Sequence, residues 1–215
     1  MISDLFVKTC KPLLLALSSL ALVSCDRLLT PDFNTEITEI RSGAYTLDKD
    51  HAVLLFKINH LGFSTYVGRF NDFDASLDFD PENIGASSLE VIIDVASLDV
   101  NNPEFAEDLR GGSWFDVENF PQAIYRTNSC SETGENTFSC EGDMTLHGET
   151  GPMTIDVQFN GGGRNFLTRS YTLGFAANAT FQRSEFGVDQ FVNFGVGDDI
   201  DLEIHVEFQE ADEDS

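Results

Sequence analysis

Four histidines, four cysteines and 37 carboxylates are the residues of this 215-residue chain whose types could do chemistry. Their spacing argues against most of it. His51, His60, His147 and His205 are dispersed, and no His-x-x-x-His pair is present to hold a catalytic metal. There is no Gly-x-Ser-x-Gly nucleophile turn, no Walker loop and no Gly-x-Gly-x-x-Gly fingerprint. The run Gly161-Gly162-Gly163 reads as a flexible turn with no helix behind it to present a phosphate site. Carboxylates are so abundant that a close pair arises by chance. No catalytic residue is assigned, no metal or cofactor is expected, and the chain does not read as an enzyme.

The cysteines divide by position. Lys8 and Lys11 precede a ten-residue apolar stretch, Leu13 to Leu22, about half of what a membrane-spanning helix requires. The tetrad that follows, Leu22-Val23-Ser24-Cys25, looks like a bacterial lipobox. It implies a lipoprotein signal over 1–24, acylation of Cys25 and durable anchoring by two or three acyl chains. An ordinary secretory signal cut nearby is the alternative. Asp26 resembles an inner-membrane retention signal, and whether the inner or the outer membrane holds the anchor stays open. Cys130 and Cys140 remain as an even pair in an oxidising compartment. The polar, turn-rich segment between them suits a hairpin tip, so a disulfide there is expected to contribute roughly 2–3 kcal/mol.

Charge and composition narrow the partners. Lys plus Arg total 12 against 37 Asp plus Glu, a net charge of -25. Phosphate binding needs a basic face, so nucleic acid is not an expected partner. Anionic lipid surfaces are disfavoured for the same reason. Nineteen Phe beside one Trp and four Tyr point to an unusually greasy interior, either packed solid or hollow around a lipid.

The elements that must position these side chains have a two-residue period. Leu54, Phe56, Ile58 and His60 share one strand face; Phe73, Ala75, Leu77 and Phe79 share another. Leu89 to Val95, Phe138 to Leu146, Met153 to Phe159, Leu173 to Phe181 and Ile200 to Phe208 repeat the pattern. A short strand near Tyr45 and one around Ile124 bring the expectation to eight or nine. Pro103 to Arg110 is the one helix candidate, with Pro at its start and Gly111-Gly112 as its stop. Residues 26–42 read as a tether and residues 211–215 as an acidic tail. A sheet with one apolar face must close or pack on a second sheet. The predicted fold is all-β, an antiparallel eight-stranded barrel with strands in simple succession, although periodicity alone does not separate it from a sandwich.

An ordered string of motifs from Tyr45 to Phe208 resembles the YceI-like family of exported polyisoprenoid-binding proteins. It comprises Tyr45-Thr46-Leu47-Asp48-Lys49-Asp50-His51, Phe56-Lys57-Ile58-Asn59-His60-Leu61-Gly62 and Gly68-Arg69-Phe70. Ile92-Ile93-Asp94, Ser97-Leu98-Asp99, Leu109-Arg110 and Trp114-Phe115-Asp116-Val117-Glu118-Asn119-Phe120-Pro121 follow. Gly142-Asp143-Met144-Thr145-Leu146-His147-Gly148, Arg183-Ser184-Glu185-Phe186-Gly187 and Val196-Gly197-Asp198 complete it. Ala52 stands where the family commonly has Ser, Met144 where it usually has Leu, and the Cys130–Cys140 pair is no part of the pattern.

The resemblance implies a lipocalin-like barrel over 43–210 whose apolar cavity holds a long-chain isoprenoid, a quinone or a polyprenyl phosphate, at the bacterial periplasm. Candidate wall residues are Phe56, Ile58, Phe70, Phe73, Leu77 and Phe79, with Trp114, Phe115, Phe120, Phe175 and Phe181. Each one singly also reads as plain barrel core. His51, His60, Arg110 and Arg183 are the candidates to meet a polar head group. The alternative is a structural or stress-response envelope lipoprotein with a packed barrel and a protein partner. Oligomeric state, a homodimer included, is left open.

Overall fold

The computed structural model describes residues 32–211. The signal segment, Cys25 and the tether up to residue 31 lie outside the described residues, as do residues 212–215 of the tail. The described residues form twelve strands: β1 (Asp32–Asn34), β2 (Gly43–Leu47), β3 (Val53–His60), β4 (Ser64–Phe70), β5 (Phe73–Phe79) and β6 (Ser88–Asp94), then β7 (Leu98–Asp99), β8 (Gln122–Gly134), β9 (Thr137–Leu146), β10 (Glu149–Arg164), β11 (Tyr171–Gln182) and β12 (Val196–Glu210). Among the described residues one α-helix, α1, spans Pro103–Arg110. Its start is fixed by Asn102, whose side chain accepts from the Phe105 N–H, and by Pro in the first turn.

Eight strands close into an antiparallel barrel, in the order β2-β5-β6-β8-β9-β10-β11-β12 and back to β2. The succession is not simple. The C-terminal end of β12 pairs with β2, Phe208 opposite Leu47, while its earlier residues pair with β3, from His205 opposite Val53 to Val196 opposite His60. A short turn, Lys49–His51, separates β2 from β3 along that one edge. The β3–β4 hairpin is thereby pushed out of the ring and prolongs the wall at one end. Its apolar face is covered from within, as Leu98, Val100, Ala106 and Leu109 of β7, α1 and their connection pack against Phe56, Tyr66 and Phe70.

Register defines the two ends. Arg164 opposite Tyr171 and Glu210 opposite Tyr45 lie at one; Gln182 opposite Asp199 and Val196 opposite His60 lie at the other. At the first end four phenyl rings meet, Phe159 against Phe175 at 5.4 Å, Phe79 at 6.0 Å and Phe208 at 6.0 Å from Phe175. These rings plug the barrel there.

Several expectations need correction. The segment 32–42 is not a free tether, since β1 pairs with Gly162–Arg164 of β10 and Ile40 is buried in the core. Gly161-Gly162-Gly163 is not a turn but part of β10. The Phe33 ring lies where a Cβ at Gly161 would be, so a side chain at 161 would displace β1, while Leu173 of β11 and Ile40 crowd Gly162. The strand around Ile124 is not short: β8 runs 13 residues, because its β9 partner and the Cys130–Cys140 disulfide carry it past the ring.

Candidate ligand-binding site

Two chambers lie end to end inside the barrel. The larger, about 430 Å3, occupies the end framed by β3, β4, α1 and the loop between β11 and β12. The smaller, about 150 Å3, runs on toward the plugged end. Leu54, Ile93, Ala123, Met144 and Leu202 border both, so the chambers adjoin at a shared waist and together form the bore. Strand alternation makes it apolar: on β5, β9 and β12 the inward positions carry the hydrophobic residues while the outward ones include Asp74, Asp78, Glu141, Asp143, Asp201 and Glu203.

Ten of the eleven expected wall residues face this bore. Phe56, Ile58, Phe70, Trp114, Phe115 and Phe181 line the large chamber. Phe73, Leu77, Phe79 and Phe175 line the small one. Phe120 does not. It packs on His147, ring centroids 4.6 Å apart, and over Gly148 of the β9–β10 turn. His147 and Gly148 both have positive φ there, and a Cβ on Gly148 would strike the Phe120 ring. Phe120 thus braces a turn.

The polar candidates separate. His60 sits on the large chamber's border, next to Leu61 at the hairpin tip. Arg183 also borders it and is 4% exposed. Its guanidinium is already engaged, donating to the carbonyls of Val188 at 2.6 Å, Gly197 at 2.8 Å and Gln190 at 2.9 Å. Burial lowers its pKa, offset by the charges of Asp198 and Asp189. Arg183 therefore organises the 188–197 loop rather than reaching for a head group.

Arg110 lies off the bore. It donates to the carbonyls of Ala96 and Leu98 and pairs with Glu107, tying α1 to the wall. His51 is likewise outside, exposed, with Nδ1 3.0 Å from Asp48. Asp48, His51 and Glu207 hold potential ligand atoms within 4.8 Å of one another, a grouping that sequence spacing did not suggest. Asp48 is already engaged there by His51, by Gln209 and by the Asp50 N–H.

Sequence reasoning overlooked the mouth. Leu61, Tyr66, Phe105, Phe191 and Phe194 border the large chamber from two loops, β4 and α1. The Tyr66 hydroxyl donates to the Val100 carbonyl at 3.1 Å, so it is not free for a ligand. Phe191 and Phe194 sit outside any alternating run, and period counting passes over them. The available signal was an excess of Phe in a Gly-flanked loop.

Residues 45–208 match the model of the YceI-like domain. The chain belongs to the YceI-like family. A UPF0312 protein of Vibrio cholerae is 36% identical over 157 residues, covering 73% of this chain and 81% of that one. A UPF0312 protein of Yersinia pestis is 38% identical over 146 residues, covering 67% and 75%. Among solved structures, a YceI protein of Campylobacter jejuni aligns with a TM-score of 0.63 at 26% identity, over 73% of this chain and 91% of that one. BcnA of Burkholderia cenocepacia shares the fold at 24% identity and a TM-score of 0.68, over 75% and 98%. A polyisoprenoid binding domain of Saccharophagus degradans, implicated in plant cell wall breakdown, shares it at 12% identity and 0.58, over 80% and 100%.

Proposed function

We propose that this YceI-like protein is a carrier that binds one long-chain isoprenoid, a quinone or a polyprenyl phosphate, in its bore, without catalysis. We further propose that it works at the bacterial envelope, on the periplasmic side, anchored through acyl chains on Cys25. The two adjoining chambers, both lined by apolar side chains, support the reading most. Kept dry and empty, an apolar cavity of about 430 Å3 would cost on the order of 10 kcal/mol at ~24 cal/mol per Å3. That equals the whole stability of an ordinary domain. An apolar occupant that displaces weakly held water from so large a hollow is therefore favoured. A prenyl chain burying several hundred Å2 would recover a similar amount, on the order of 10 kcal/mol before ordering costs.

The test is organic extraction of the purified protein followed by mass spectrometry. A single long-chain lipid at one per protein is the expected yield. Extracts holding no lipid, from protein purified without detergent, would leave the packed-barrel envelope protein as the better account. Stripping the lipid should also lower the melting temperature, and adding it back should restore it.

A further inference from the structure

Two loop tips frame the mouth of the bore, and both present large apolar side chains to solvent. Leu61 and Phe63, on the β3–β4 tip, are 45% and 87% exposed; Phe191 and Phe194, on the β11–β12 loop, are 53% and 77% exposed. The tips are joined, as the Leu61 N–H donates to the Gly195 carbonyl at 3.0 Å. Leu61 and Phe191 hold left-handed backbone, at φ 57° and 62°, a conformation unfavourable for bulky residues. Local backbone preference would not place these side chains where they stand.

Charge sets this lip apart from the rest of the molecule. Asp, Glu, Lys and Arg make up 23% of the chain, yet none occurs in the eleven residues 58–68 or the eight residues 190–197. At the average frequency those 19 residues would hold about four. A surface that is apolar, uncharged and continuous with a lipid-sized bore fits a partner that is itself apolar beneath a neutral face.

We infer that the lip formed by Leu61, Phe63, Phe191 and Phe194 docks on the surface of a lipid bilayer, zwitterionic rather than anionic, and places the bore in contact with the acyl region. The net charge of -25 opposes anionic lipid, so apolar insertion at the lip drives the contact. The purpose rests on the carrier reading: a cargo too apolar for water passes from membrane to bore without crossing it. Docking itself is read on vesicles that contain no cargo, so the two ideas fail separately.

The test uses the chain with Cys25→Ser and with 1–24 exchanged for an ordinary cleavable secretory signal, so that neither an acyl chain nor the apolar 13–22 segment remains, and a single tryptophan moved to the lip by Trp114→Phe and Phe194→Trp. Phosphatidylcholine vesicles should shift its emission to the blue, and brominated phosphatidylcholine should quench it. Added salt should leave this unchanged, and phosphatidylglycerol should weaken it at low salt only. Phe63→Ser in the same background should lower vesicle affinity by roughly tenfold or more. Emission that ignores vesicles overturns the inference. So does a blue shift that grows with protein concentration in their absence, which would make a second copy the occupant. A Phe166→Trp reporter at the plugged end identifies attachment by that end alone, and quenching there with none at the lip is equally fatal.

Discussion

Arg183 shows how a single buried charge is tolerated in an acidic protein without a carboxylate in contact. Three backbone carbonyls of the 188–197 loop take the place of a counterion. Arg183→Met would strand those acceptors, at about 1–3 kcal/mol for each one left dry. The expected loss is about 3 kcal/mol in denaturant unfolding, with faster amide exchange at 188–197. A variant as stable as the parent would show that water replaces the guanidinium at no cost. His51 makes a pH prediction. Its hydrogen bond to Asp48, and then the Asp48 charge, raise its pKa above the ordinary value. Burial alone would raise Asp48, but hydrogen bonds from His51, Gln209 and the Asp50 N–H hold it below the usual carboxylate range. The pair's stabilisation is lost as pH falls through the depressed Asp48 value, and again as pH rises through the elevated His51 value. Proton NMR should find His51 titrating above about 6.5. Asp48→Asn should lower it toward that value, with the charges of Glu207 and Asp50 still raising it, and an unmoved titration would refute the pairing.

At the scale of elements, the Cys130–Cys140 bridge joins directly opposed residues of β8 and β9. It closes a loop of sequence separation 10. Its removal in a Cys130→Ser/Cys140→Ser variant should cost roughly 2–3 kcal/mol. Exchange protection should fall at 131–138 first, whereas uniform loss across the barrel would contradict a local role. Close packing over glycine offers a sharper test. A Cβ at Gly142 would lie 2.3 Å from the Arg126 carbonyl and 2.6 Å from the Tyr125 ring. The Tyr125 hydroxyl is pinned to the Cys140 carbonyl at 3.0 Å, so that ring cannot swing aside. Gly142→Ala should destabilise by about 1–3 kcal/mol, measured as a shifted unfolding midpoint, and a neutral result would mean that the strand yields. The inward faces of β3, β5, β9, β11 and β12, and α1 with both its ends, were legible in the sequence, because alternation and capping are local signals. The excluded β3–β4 hairpin was not. Its position depends on β12 lending one edge to two strands, a long-range choice that leaves no periodic trace. Phe120 misled for a related reason: a Phe beside Trp114 and Phe115 carries no mark that it braces a turn.

For the whole molecule, the direction of the bore relative to the proposed acyl anchor becomes the controlling quantity. β1 pairs with Gly162–Arg164, so the chain enters the fold at the plugged end. The lip lies at the other. β11 spans 12 residues between those ends, about 40 Å of strand at ~3.3 Å per residue, or about 30 Å along the axis with a tilt of ~40°. Cys25 is seven residues before Asp32, a reach of at most ~25 Å. A barrel standing on an acyl anchor at Cys25 therefore points its lip away from the anchoring leaflet. It meets that leaflet only by lying along it, with its acidic flank toward the head groups. Cargo exchange with a facing bilayer should accordingly be fast and exchange with the anchoring bilayer slow. Inserting about 20 Gly/Ser residues after Asp26 would give the tether a mean span near ~30 Å and let the barrel invert. With a fluorescent prenol as cargo, the insertion should accelerate exchange with the anchoring vesicles and leave exchange with added acceptor vesicles little changed. Equal rates with the short and the long tether would mean that the lip already reaches its own membrane, and the outward orientation would be wrong.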